Sequence, residues 1–393
     1  MSVMGLPEEL SRALDEGVDA RRESLLDLSL RIHDHPELRF QEVQASGWVA
    51  EALAAEGHAV ERPLAGLATA LRARAGRGAV RVAILAEYDA LPEIGHACGH
   101  NLIAAGAVGA FLTLAPHVDA LDATVELIGT PAEEGGGGKV VLVDHGVFEG
   151  VDAAMMFHPF DRDLTAHPTL ANLWLQMSFH GEPAHAAIAP WDGRSALTAC
   201  LQTFSLVDAQ RVHFRDGVRV HGYVTDGGQA VNIIPERAAC EFSVRARTLA
   251  ELDRVRAIVE RCARGAALAC GVEVTITPRR GYKDMRNNLP LARAFGEQLR
   301  ALGRDARERD EGVGSGSTDM GDVSHAVPAI HPWLAICDQG EALCHEHAFA
   351  RAARSPRGGD ALVVAAKAMA RTAALFMLDP ALRHAARSAF REA

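Results

Sequence analysis

The chain has 393 residues, 48% of them hydrophobic, 23% charged and 5% aromatic. That composition excludes a wholly disordered or fibrous polymer and, at roughly 100–200 residues per domain, leaves room for two or three domains. Lys and Arg number 40 against 51 Asp and Glu, a formal charge of −11, so without a local basic block the chain repels phosphate backbones and anionic membranes. No such block stands in the sequence, and neither nucleic acid nor a membrane is expected as a partner. The N-terminal stretch carries Glu8, Glu9, Asp15, Glu16 and Asp19 with no apolar run, unlike a secretory leader. The apolar stretch Ala104–Ala115 is about half the ~20 residues a spanning helix needs. Seven cysteines, an odd number with no C-x-x-C pair, fit buried thiols in a reducing cytoplasm.

In chain order, Leu25–Ile32 and Ser46–Glu56 read as helices, and Val80–Ala86 as a buried β-branched strand. Ala104–Leu114 reads as a buried helix and Thr124–Ile128 as a further strand. This alternation predicts an α/β layered sheet, with its sites where strands end and loops begin. From Leu173 the texture changes. Strands at Trp174–His180, Arg219–Val224, Ala239–Arg245 and Val272–Thr277 enclose helices at Ser195–Asp208 and Leu249–Ala269. That β-α-β-β-α-β order predicts an inserted α+β, ferredoxin-like domain over residues 173–283, splitting the first domain into residues 1–172 and 284–393. Ala361–Met377 then reads as a long alanine-rich helix.

Four clusters of metal-ligand and acid–base residue types follow successive strands. Cys98-Gly-His100 lies past the Val80–Ala86 strand, within a segment that also holds Glu87 and Asp89. A glycine between a thiol and an imidazole lets both converge on one borderline-soft ion, although a buried cysteine beside a surface histidine has the same sequence. Glu133-Glu134 precedes four glycines; one carboxylate of such a pair can bind metal while the other handles protons. His158 ends an apolar strand, where a satisfied core histidine is the competing reading, and Cys344-His345-Glu346-His347 follows much later. His33, His35, His325 and His331 read as structural.

Taken jointly, these motifs resemble the M20 metallopeptidase family. Within it they resemble the amidohydrolase branch of aminoacylase-like enzymes, aminobenzoyl-glutamate hydrolases and β-alanyl-dipeptide hydrolases. The resemblance rests on Ala86-Glu-Tyr-Asp-Ala-Leu-Pro92, His96-Ala-Cys-Gly-His-Asn101, Pro131-Ala-Glu-Glu134 and Gly316-Ser-Thr-Asp-Met-Gly-Asp-Val-Ser324, and runs from His35 to His345. It implies a zinc-peptidase-like α/β catalytic domain, a mixed sheet flanked by helices, with residues 173–283 as an inserted lid and dimerisation domain, and two divalent metal ions (zinc or manganese, or else cobalt) held by Cys98, His100, Glu134, His158 and His345. It also implies Glu133 as general base and acid, and Asp89 as the carboxylate that orients a ligand. Glu87 stands where other branches carry a ligand histidine, which leaves its contact with metal open; His347 is read as a bystander. In the inserted domain, Gly181-Glu-Pro-Ala-His185 resembles the motif whose histidine reaches a neighbouring subunit's site, which implies a homodimer. Asn232 and Arg245 match segments that hold the substrate's carbonyl and carboxylate.

The resemblance therefore implies hydrolysis of the amide bond of a small N-acyl amino acid or dipeptide-like substrate. Two alternatives stay open: cleavage of a non-peptide C–N bond such as an aryl amine, and a metal-binding homologue without catalysis. A structural zinc module is the weakest reading, because its four ligands would normally be local.

Overall fold

The computed structural model describes residues 5–392, and the chain divides into two compact units. One comprises the chain up to Pro168, Met285–Ser315 and the chain from Asp319; the other comprises Thr169–Asp284 with Gly316–Thr318. The sequence pattern puts the change of texture at residues 173 and 283. It gives no sign that Gly316–Thr318 group with the second unit.

The first unit is built on a six-stranded sheet in the order Val60–Glu61, Leu71–Gly76, Ala123–Gly129, Val80–Ala86, Ala153–Met155, Ala329–Ile330. Val80–Ala86 runs parallel to both of its neighbours, whereas Leu71–Gly76 pairs antiparallel with Ala123–Gly129, so the sheet is mixed. The central strands are β-branched and alanine-rich and are buried on both faces, which is what parallel strands covered by helices require. The helix His100–Leu114 is buried along its whole length. It packs on the helix Pro356–Leu378, which is long and apolar enough to span a bilayer but is 83% buried over its most apolar window. The charges on that second helix are paired: Arg371 Nε donates to Asp15 (2.8 Å) and Lys367 Nζ to Asp19 (2.7 Å). A short parallel pair, His158–Phe160 with Trp333–Ala335, extends the unit beside the sheet.

The second unit has the β-α-β-β-α-β order, in a four-stranded antiparallel sheet ordered Glu273–Arg280, Ala171–His180, Arg237–Ala246, Arg219–Asp226. Arg237–Ala246 buries every second residue, the period of a strand with one covered face. Helices Ala196–Gln210 and Leu249–Cys270 supply the cover. Their starts are capped by Ser195 Oγ and Thr248 Oγ1, each accepting from the backbone N–H three residues on. With Glu251 following, Thr248 opens a T-x-x-E capping sequence. Arg219–Asp226 forms an exposed sheet edge.

One buried carboxylate pins the loops of the first unit together. Glu42 accepts from the N–H groups of Phe40 and Ala132 (2.9 Å each) and from the Thr69 hydroxyl (2.9 Å). Burial raises its pKa to about 7. The folded state thus holds this proton more tightly than the unfolded chain, so the stability it contributes is full below about pH 4 and is lost as pH rises through 7. Unfolding free energies of Glu42→Gln and the parent, from urea titrations at pH 5 and pH 8, are expected to shift in favour of the variant at the higher pH, by up to about 3 kcal/mol. A pH-independent difference contradicts this.

Candidate metal centre

The parallel strands of the first unit end on the residues that could carry chemistry. Val80–Ala86 runs directly into Glu87 and Asp89, Ala123–Gly129 into the loop bearing Glu133 and Glu134, and Ala153–Met155 into His158. Loops at the carboxyl ends of parallel strands converge, which brings together residues distant in sequence.

Position 99 must be glycine for two independent reasons. Its φ is +74°, and a Cβ there would lie 2.8 Å from Pro159 Cγ. Gly99 thus lets the Cys98-Gly-His100 turn press directly on the residue after His158. His100 opens the buried helix, and its Nδ1 faces both the Asp89 carboxylate (3.0 Å) and the Asp89 carbonyl (2.9 Å). Two acceptors at Nδ1 place a proton there, and Nε2 has no hydrogen-bond partner although the ring is buried, which makes Nε2 the nitrogen a cation would take in place of its proton. Burial opposes charge on this imidazole, yet Asp89, Glu87 and Glu134 overcome that and raise its pKa well above the usual value. The second oxygen of Asp89 accepts from the Glu134 N–H (2.8 Å). Nδ1 of His158 is turned to the Pro159 carbonyl (2.7 Å), and burial with the nearby His100 lowers its pKa to about 4, so it is a neutral donor.

His345 adopts a left-handed backbone conformation with φ +71°, uncommon for a residue with a side chain. Its N–H donates to the Ala97 carbonyl (3.0 Å), which sets it beside Cys98, and its Nε2 lies 3.6 Å from Glu134 Oε2. Backbone strain of this kind concentrates at functional sites. The Cys98 thiol is pushed up in pKa by a hydrogen bond with Cys344, by burial and by Glu134.

The outcome is two triads, Cys98–His100–His158 and Cys98–Glu134–His345, with Cys98 in both. Within each, the ligand atoms lie within 4.8 Å of one another. A third grouping joins His100 to Glu133 and Glu134. Sulfur, imidazole and carboxylate donors in this mixture suit a borderline divalent ion such as zinc. Buried His100 Nε2 and Glu134 Oε1 lack hydrogen-bond partners, and a cation bound among these groups would satisfy both; the donor set fits the implied metal. Burial and the adjacent carboxylates of Glu134, Glu87 and Asp319 push the pKa of Glu133 well above the carboxylate range.

Comparison with known proteins bears directly on this geometry. The model of peptidase family M20/M25/M40 matches residues 83–374. The chain belongs to the M20 metallopeptidase family. It is 37% identical to a Xaa-Arg dipeptidase of Mus musculus, over 98% of this chain and 93% of that protein. It is 34% identical to one of the p-aminobenzoyl-glutamate hydrolase chains of Escherichia coli, over 66% of this chain and 59% of that protein. Its fold matches a Bacillus subtilis protein described as a dinuclear metal binding peptidase from the M20 family, with TM-score 0.73 and 23% identity, over 91% of this chain and 99% of the other. The chain is thus an M20 hydrolase with a mixed α/β fold.

The remaining sequence candidates of this M20 chain, His185, Asn232 and Arg245, lie in the second unit. Ala186 N–H donates to the Asn232 carbonyl (3.0 Å), and Arg245 Nη1 approaches Ser317 Oγ at 3.4 Å. His347 is exposed at the start of a short helix and is in neither triad. His331, read from sequence as structural, is buried with both ring nitrogens lacking hydrogen-bond partners, its ring 5.4 Å from that of His158. Sequence reasoning missed Lys139, whose side chain is fully buried between Glu87 and Asp319. A lone lysine after four glycines carries no local sign of burial. Asp319 falls inside the Gly316–Ser324 motif, where residue type alone gives it no role.

Because Asp89 anchors one member of each triad, Asp89→Ala is expected to weaken metal binding about 10–100-fold. Titration against a competing chelator measures it, and parent-like affinity contradicts the anchoring role.

Proposed function

We propose that this M20 chain hydrolyses the amide bond of a small dipeptide or N-acyl amino acid at a centre of two divalent ions. Zinc or manganese is the expected metal. The observation that carries the reading is the pair of triads sharing Cys98 beside buried Glu133. Cys98, His100 and His158 would hold one ion, and Cys98, Glu134 and His345 the other. Ions so placed would lower the pKa of the attacking water and polarise the scissile carbonyl.

The protein's own groups supply the proton traffic. Glu133 accepts the proton of the attacking water and delivers it to the departing nitrogen. Its carboxylate, buried beside both triads, is placed to hold that proton between the two events. In the second unit, His185 Nδ1 accepts from the N–H groups of Ala187 (3.2 Å) and Ile188 (3.3 Å). That fixes the tautomer with the proton on Nε2, so the exposed ring is set to donate to a developing oxyanion. Asn232 and Arg245 would hold the substrate's carbonyl and carboxylate, Arg245 by charge-assisted hydrogen bonds.

A homodimer formed through the second unit would bring His185 to its partner's centre. Trp191 and Ile188, 78% and 69% exposed near His185, supply apolar surface of the kind that marks an interface. The relatives' names make dipeptides ending in arginine and aminobenzoyl-glutamate the first substrates to try.

The test is to strip the protein with chelator, reload zinc or manganese, and assay both substrate types for the parent and Glu133→Gln. Metal-dependent release of a free amino acid is expected, with kcat about 10²–10⁴-fold lower in Glu133→Gln at equal metal content. Undiminished turnover in that variant removes Glu133 from the mechanism. Metal binding with no cleavage of either substrate class removes the amide-substrate reading.

A further inference from the structure

A fully buried ammonium beside a metal centre needs a reason, because desolvation strongly disfavours it. Lys139 is the second residue of the helix Gly138–Asp144, immediately after the glycine loop that carries Glu133 and Glu134. Its Nζ donates to Glu87 Oε1 and to Asp319 Oδ1 (2.6 Å), while its own backbone N–H donates to Asp319 Oδ2 (2.9 Å). All three side chains are completely buried. Lysine thus fastens the end of the Val80–Ala86 strand, the glutamate loop and the segment at Asp319 to one another.

The other oxygen of Glu87 shows what this restrains. Glu87 Oε2 has no hydrogen-bond partner and lies 3.4 Å from Nε2 of His100, a member of the first triad. Two donors bonded to one zinc ion at about 2.0–2.2 Å sit roughly this far apart. A carboxylate here is therefore within reach of an ion bound by His100. Yet among the described residues Glu87 joins none of the converging groups. Oε1 is committed to the ammonium, which holds the carboxylate short of Cys98 and His158.

We propose that Lys139 is a positioning residue that keeps Glu87 out of the metal's coordination sphere, serving as a built-in cation where a free carboxylate would otherwise become an extra ligand. The proposal rests on the metal reading above and adds to it the composition of the ligand set. With Glu87 withheld, an ion held by Cys98, His100 and His158 would keep a position open for water or substrate, as catalytic metal sites do.

The experiment uses the full chain loaded with Co²⁺, whose visible absorption reports coordination number and donor set. Four proteins are compared: the parent, Glu87→Gln, Lys139→Met and the double variant. Lys139→Met is expected to change the cobalt spectrum as Glu87 joins the ion, and to lower kcat about 10-fold or more with KM little changed. The double variant is expected to return the parent spectrum, because the amide that replaces the Glu87 carboxylate carries no charge to bind the ion. Glu87→Gln alone is expected to keep the parent spectrum and cobalt affinity. A folded Lys139→Met with an unchanged spectrum overturns the proposal, as does a shift that persists in the double variant. Loss of one buried partner could prevent Lys139→Met from folding, in which case Glu87→Gln decides: a changed spectrum makes Glu87 a ligand in the parent and overturns the proposal. A parent that binds no cobalt removes the metal reading itself, whereas a parent that binds cobalt with the wrong variant pattern removes only this inference.

Discussion

The carboxylate of Asp89 is the constraint on which the rest of the centre depends. One oxygen fixes the tautomer and orientation of His100, and the other accepts the backbone N–H of Glu134. A single buried side chain thereby sets a member of each triad, so the two ligand groups cannot drift independently. Burial costs a carboxylate its hydration, but the nearby His100 and the Glu134 N–H compensate, and the group's pKa stays below its usual range. Without that anion the imidazole would be free to turn and the glutamate loop would lose its tether to the central strand.

Around that anchor the chain reaches its geometry through close backbone approach. Gly138 illustrates it: a Cβ there would lie 1.9 Å from the Pro131 carbonyl oxygen, so only glycine lets the loop after Glu134 fold back before the helix begins. Such a loop loses the conformational entropy of its glycines on folding, and the buried ion pair of Lys139 with Glu87 and Asp319 gives it a fixed end. The charge arrangement has one consequence for function. Five carboxylates, Glu87, Asp89, Glu133, Glu134 and Asp319, lie in or beside the centre with one lysine, which favours dications over a neutral occupant.

Much of this was legible in the sequence, for reasons that can be stated residue by residue. Val80–Ala86 was readable to the residue because a β-branched run ends abruptly in charge. The helix from His100 was read four residues short, since a metal-ligand motif and a helix start overlap there. The strand Leu71–Gly76 was missed: its Arg72 and Arg74 hide a register that only its pairing with Ala123–Gly129 reveals. The amphipathic helix Glu8–Ala20 was also missed, its buried Leu14 and Val18 standing among many charges. In the centre, Cys98, His100, Glu133, Glu134, His158 and His345 were each ambiguous by residue type, and it was their joint resemblance to the M20 motifs that singled them out. Lys139 was not singled out, because its burial depends on two carboxylates 52 and 180 positions away.

The central claim is that one thiolate serves two ions. Anomalous diffraction from crystals of the zinc-loaded protein tests it most directly. The account predicts two peaks about 3.5–4 Å apart, with Cys98 Sγ contacting both, His100 and His158 on one side and Glu134 and His345 on the other. A single peak, or two peaks with Cys98 bound to neither, would contradict it.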